Sequence, residues 1–399
     1  MMSSMRTRPR NSLFLILGIV VLLVVASAIF ISARGMSTQS IASGIVKDCS
    51  KVPGDHAPCY EAKVPDLYPK LSVPEIFDVI RNIRTLDTSY QFCHVLGHKV
   101  GERVVAEDPN DWVDAIPLNP PDGLCSNGFI HGVVGGRFRS EVLNDATIQQ
   151  FLPDFIRACV PHDSWTPSDL DRAICYHGMG HLFDFITNAN IPKALDLCSK
   201  VAPEDYSRVC IQGVFMQIYQ PLEPDDYALI AQMPVKPTKT TVRQFCATFK
   251  NPIYVGSCLE ESWPFFQKEI TDGTGVKGFC SGQPDAIETD QCYLSMSSIV
   301  GRMSLGAPDK AASACNAFPA SRQVVCYTSV SRAVIEEDRN GGAGAIALCE
   351  KADSDTASSC LDSLASTASF TFGLGTPELS RFCGLLPEPY RDRCGEAQY

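Results

Sequence analysis

The chain is poor in histidine, in tryptophan and in positive charge. Of its 399 residues, 7 are histidine and 3 are tryptophan, and the formal net charge is -11. An acidic balance of that size argues against nucleic acid or an anionic membrane surface as a partner. Several catalytic signatures are missing. There is no His-Glu-x-x-His, which disfavours a zincin-like peptidase. There is no Gly-x-Ser-x-Gly elbow, no phosphate loop and no dinucleotide fingerprint. No Cys-x-x-Cys pair occurs, which removes thiolate metal knuckles and attached haem. No Asn-x-Ser/Thr acceptor occurs either, so glycosylation gives no information about the compartment.

Cysteine, by contrast, is abundant: 18 residues. A cytosolic chain would keep so many thiols reduced, so their number points to export and to disulfides. The N-terminus agrees. Arg6, Arg8 and Arg10 precede an unbroken apolar run over residues 13–31, long enough to cross a bilayer as a helix with its basic flank in the cytoplasm. A cleaved signal peptide is the competing reading, since Ala26-Ser27-Ala28 has the small-x-small form of a cleavage site. Either reading exports the rest of the chain. The expected organisation is a cytoplasmic tip and membrane anchor over 1–35 and an extracytoplasmic spacer over 36–70. Next come a His/Gly-rich helical region over 71–190 and a stapled repeat region over 191–399. The protein is expected at the cell membrane, single-pass, with its C-terminal domain outside the cytoplasm.

From residue 159 onward the cysteines fall into pairs. Cys159 goes with Cys175, Cys198 with Cys210, Cys246 with Cys258, and Cys280 with Cys292. Cys315 then goes with Cys326, Cys349 with Cys360, and Cys383 with Cys394. Eleven to sixteen residues separate the members of a pair, and the full period is about 34 residues with one insertion around 220–240. A sustained period of that size means a stacked repeat array. The segments between look helical. Thr376-Pro377-Glu378 and Thr166-Pro167-Ser168-Asp169 each supply a capping hydroxyl, a first-turn proline and an acid. Each repeat therefore reads as a helical hairpin with a disulfide near its turn, where antiparallel helices bring the two cysteines opposite each other. Cys49 and Cys59 are expected to close a small loop in the spacer. Cys93 and Cys125 stand outside the ladder; they pair with each other, or one or both remain thiolates near the histidines.

This architecture resembles tetratricopeptide-type helical repeats in period, in helix-turn-helix unit and in tandem number. The resemblance covers roughly 159–399 and implies an all-α, α/α solenoid fold. The Trp-x-x-Leu-Gly-x-x-Tyr signature of those repeats is absent, so no binding residues carry over.

Five of the seven histidines gather in three related segments: Cys93-His94-Val95-Leu96-Gly97-His98, the run from Cys125 to His131, and Cys175-Tyr176-His177-Gly178-Met179-Gly180-His181. Counted from each cysteine, His177 and His181 stand at +2 and +6, Asn127 and His131 at +2 and +6, and His94 and His98 at +1 and +5. Residues four apart share a helical face, and stacked repeats place equivalent faces side by side. The three segments thus predict one imidazole-lined strip. Gly97, Gly128, Gly132, Gly178 and Gly180 cost helix stability, which points to a helix or ligand approaching closely there. The strip suits a transition metal, zinc, copper or iron. Its ligands would be His94, His98, His131, His177 and His181, with Glu102, Asp184 and Asn127 in support. Downstream the same two positions carry Gln212 and Met216, then Glu260 and Pro264, so the staple belongs to the fold and the histidines to something local. Two functions are open: an exported metalloprotein, catalytic or not, or a non-enzymatic scaffold that binds protein or peptide on the solenoid surface.

Overall fold

The computed structural model describes residues 37–138, 141–162, 165–221 and 224–395. The apolar run over 13–31 lies outside them. No helix among the described residues is long and apolar enough to cross a membrane. The described chain is all-helical, with one isolated bridge between His162 and Trp165.

Nine helices among the described residues carry the fold: α1 (Val73–Leu86), α2 (His94–Val105), α3 (Gly128–Phe138), α4 (Asp169–Ile186), α5 (Glu204–Tyr219), α6 (Pro252–Glu261), α7 (Ala286–Arg302), α8 (Gln323–Glu337) and α9 (Ser354–Phe372). Local chemistry sets their starts. Ser72 and Glu75 form a capping box at α1, with proline in the first turn. Ser168 and Asp171 do the same at α4. From α2 onward each of these helices packs beside its successor, as a stacked array requires. Intervening helices such as Ile191–Val201 and Pro308–Ala317 fill the hairpins.

All 18 cysteines are bridged. In the ladder, Cys159 joins Cys175, Cys198 joins Cys210, Cys246 joins Cys258 and Cys280 joins Cys292. Cys315 joins Cys326, Cys349 joins Cys360 and Cys383 joins Cys394. These seven bridges hold Cα atoms 5.4 to 5.7 Å apart. Every pair is the one that the spacing predicts. Cys49 joins Cys59, and Cys93 joins Cys125 with Cα atoms 4.8 Å apart. The last pair settles the alternative left open by spacing: neither cysteine is a thiolate. The bridged sulfurs sit in the core, most of them fully buried, in place of the large apolar side chains that the Ser/Ala/Thr-rich α9 lacks.

The array curves until later repeats meet earlier ones. Just after α8, Arg339 pairs with Asp171 of α4 at 2.6 Å, and its backbone N–H donates to Asp122 O at 3.0 Å. At the end of α8, Glu337 accepts a hydrogen bond from Ser126. Helix α9 packs directly on α4, and Gly373 at its end sits against Ser168. The stacked helices therefore line a closed ring rather than an open strip.

Two glycine contacts set the spacing inside this ring. A Cβ placed on Gly132 of α3 would stand 2.1 Å from the backbone O of His98 on α2. One placed on Gly213 of α5 would stand 2.1 Å from the O of His177 on α4. Only glycine permits these approaches, and each fixes a histidine-bearing turn against its neighbour.

Candidate metal centre

Five imidazoles form one contiguous group. Ring centroids are 4.6 Å apart for His94 and His98, 5.2 Å for His94 and His131, and 5.4 Å for His98 and His131. His131 then lies 5.6 Å from His177 and 5.8 Å from His181, and the last two are 4.9 Å apart. Helical spacing makes each pair; Gly132 brings α3 against α2, and Gly178 of α4, where a Cβ would stand 2.8 Å from the His131 ring, brings α4 against α3.

Most of these rings have their N–H direction fixed by a neighbour that can only accept. Nδ1 of His94 donates to Cys125 O at 3.1 Å, which leaves the lone pair on Nε2. Nε2 of His131 donates to Ile174 O at 3.0 Å, leaving the lone pair on Nδ1. Nδ1 of His177 donates to Val209 O at 3.1 Å, leaving it on Nε2. Nδ1 of His181 donates to Gln217 Oε1 at 2.7 Å. The orientation of that amide is set in turn, because Gln217 Nε2 donates to Asp226 Oδ1 at 2.7 Å. Outward N–H bonds of this kind orient imidazoles at metal sites and fix their tautomer.

His98 has no such outward partner; its Nε2 hydrogen-bonds Nε2 of His94, which with Nδ1 on Cys125 O can only accept. One ligand atom from each of His94, His98 and His131 lies within 4.8 Å of the others. Two nitrogens bound to one tetrahedral ion at about 2.0–2.1 Å stand about 3.3 Å apart; the Nε2 atoms of His94 and His98 are 3.0 Å apart. His177 and His181 stand in a second bay across His131. The sequence puts His177 and His181 on one ion with the other three; the five rings are contiguous, which brings them near one another without joining them on one ion. It is the first three, however, that converge. Burial holds His94, His131 and His177 well below the usual imidazole pKa, and neighbouring imidazoles add to the effect. Burial likewise takes His181 to about 4. All four therefore keep a neutral, ligating lone pair at neutral pH.

A cavity with about 50 Å³ open to water lies against these rings, lined by His94, His98, His131, His181, Met216 and Gln217 among others. That is space for an ion and a water or two.

The expected supporting residues sit elsewhere. Glu102 pairs with Lys99 at 3.1 Å and packs on Gly136. Asp184 is fully buried, neither carboxylate oxygen has a hydrogen-bond partner, and burial raises its pKa to about 8. It is a neutral acid at pH 7. Neither carboxylate joins the imidazole group. Asn127 does not either. Cys125, Ser126 and Asn127 have φ of 63°, 50° and 55°, a left-handed turn that ends where α3 begins. Counting from Cys125 as though it were helical therefore misplaces +2, and Asn127 instead accepts from Asn119 at 2.7 Å.

Sequence reasoning missed three members. Met216 Sδ is 3.2 Å from Nε2 of His177. It stands at +6 from Cys210, the register of His131 and His181, so the strip changes residue type at α5 rather than ending. Gln217 follows it on the same helix. Asp226 comes from a helix, Pro224–Ala231, inside the insertion at 220–240, and no sequence pattern marked it.

No family model matches this chain, and no curated protein or solved structure is similar to it.

Proposed function

We propose that this is an exported metalloprotein in which His94, His98 and His131 hold one transition-metal ion. Its nine disulfides suggest an oxidising compartment, and the apolar run over 13–31 would anchor or export it. The observation that carries the metal reading is that one ring nitrogen from each of His94, His98 and His131 lies within 4.8 Å of the others, while backbone carbonyls orient the rings of His94 and His131. Metal binding there would displace the proton held between His94 Nε2 and His98 Nε2. Three imidazole ligands suit zinc, copper or iron and keep a further position for water or substrate. That position would open on the small cavity beside His181 and Gln217. His177 and Met216 form the second bay, where a thioether favours copper(I) over zinc.

The test is elemental analysis of protein purified from an oxidising compartment. About one equivalent of a transition metal is expected, falling at least tenfold in His131→Ala with helix content unchanged. Metal-free protein that takes up no zinc or copper on titration would leave the histidines as packing residues and favour the scaffold reading.

A further inference from the structure

A second, much larger cavity of about 800 Å³ adjoins the imidazole group. Its walls come from α2, α5 and α7, from the turn at Ser126, and from the segments before α2 and after α7. These elements are distant in sequence, so the cavity exists only because the array closes on itself. His94 and Met216 line both this cavity and, on their other side, the metal cavity.

The lining is mostly apolar. Phe92, Trp263, Ile299, Met303 and Leu305 supply it. Phe92 is 47% exposed and Met303 41% exposed, although both stand in the wall of a cavity of a size that encloses drug-sized molecules. Large apolar groups left uncovered in such a hollow indicate an apolar occupant.

One cation stands among them. Arg208, Arg332 and Arg339 are each paired with a carboxylate, whereas Arg302, at the end of α7, forms no ion pair among the described residues and is exposed in the cavity wall. Its charge reaches the imidazoles, where it disfavours protonation of His94 and His177. A second donor lacks a partner. Trp263 Nε1 is buried without a hydrogen bond, and Trp263 belongs to the same wall. An unpaired guanidinium set in an apolar wall matches a carboxylate head on an apolar body. A doubly charged phosphate fits less well, because Glu261 and Glu337 stand close enough to interact with Arg302.

We propose that this cavity binds a long-chain organic carboxylate, with the head group held by Arg302 beside His94 and the chain packed against Phe92, Trp263 and Leu305. The inference does not depend on a metal being bound.

The test is isothermal titration of the full exported chain, stripped of metal by chelation, with laurate, dodecanol and dodecyl phosphate below their aggregation concentrations. Laurate should bind with micromolar affinity, and dodecanol and dodecyl phosphate at least about tenfold more weakly, the expected loss when a charged hydrogen bond is missing or a second charge must be buried. Arg302→Gln should lose the preference for laurate over dodecanol, and Arg302→Lys should retain part of it. Leu305→Trp, which fills the cavity, should weaken both ligands. Circular dichroism and an intact disulfide map establish that each variant is folded. Laurate binding unchanged in Arg302→Gln, equal binding of laurate and dodecanol by wild type, or preference for dodecyl phosphate would overturn the proposal. Laurate binding that disappears in His94→Ala but survives in Arg302→Gln would also overturn it while leaving the metal reading intact.

Discussion

Nε2 of His177 and Sδ of Met216 are 3.2 Å apart, and both present lone pairs, because the ring's only proton is engaged by Val209 O. Two lone-pair atoms at that distance could both face one soft cation standing beside them. A thioether is a soft ligand, so Met216→Leu, which keeps the volume, should lower copper(I) affinity about tenfold and change zinc affinity less than twofold. Competition titrations with a chromophoric copper(I) chelator and a zinc chelator measure both. Equal losses for the two metals would assign Met216 to packing.

The glycine at 132 sets how close α2 and α3 can come. A Cβ there would stand 2.1 Å from His98 O, and backbone cannot rotate out of the way. Gly132→Ala should cost about 1–3 kcal/mol, as overpacking does, and should lower metal affinity by separating His98 from His131. Gly135, where a Cβ meets nothing within 4 Å, is the control: Gly135→Ala should be neutral or slightly stabilising. Denaturant unfolding compares the two.

Asp184 gives a pH signature. Its carboxyl titrates near 3.8 when exposed, and burial raises that to about 8 in the folded chain. Folding therefore takes up a proton between those values, and the linked stability falls as pH rises from about 4 to about 8. Glu260, Glu261 and Glu337, raised to about 7, 8 and 7 chiefly by burial, add to the same slope. Asp184→Asn removes one share of it. The variant should melt higher than wild type at pH 8 and nearly the same at pH 4. A melting-temperature series across that range tests this; a slope unchanged by the substitution would contradict it.

The staples should act one at a time. The Cys349–Cys360 bridge closes a short loop, so replacing both cysteines with alanine should cost roughly 2–3 kcal/mol by releasing the unfolded chain. Metal content should stay the same, because the bridge closes a single hairpin and its sulfurs meet Ser331 Oγ rather than an imidazole. Reduction of the whole ladder should instead unfold the chain. Calorimetry with metal analysis on the same samples separates the two effects.

Much of this was legible in the sequence. Cysteine spacing is a one-dimensional record of hairpin turns, so the seven ladder pairs from Cys159 to Cys394 could be read directly, as could the common face of His177 and His181. Ring closure could not. It rests on Arg339 meeting Asp171 and on Ser126 meeting Glu337, contacts more than 160 residues apart that leave no periodic trace. Asn127 was misplaced because three consecutive non-glycine residues adopt positive φ, which sequence gives little reason to expect. Met216 was passed over because it is not a histidine, though its register was the right one. Asp226 belongs to an insertion, and insertions carry no repeat from which to count.

The central claim is one ion on His94, His98 and His131. Anomalous diffraction from crystals of the exported chain, grown with one equivalent of zinc or copper and recorded at the metal's absorption edge, tests it most directly. The expected peak stands about 2.0–2.1 Å from one nitrogen of each of the three rings, with His94 Nδ1 still on Cys125 O and His131 Nε2 still on Ile174 O. No peak among the three rings, or a peak held by exposed carboxylates on the outside of the ring, would contradict it.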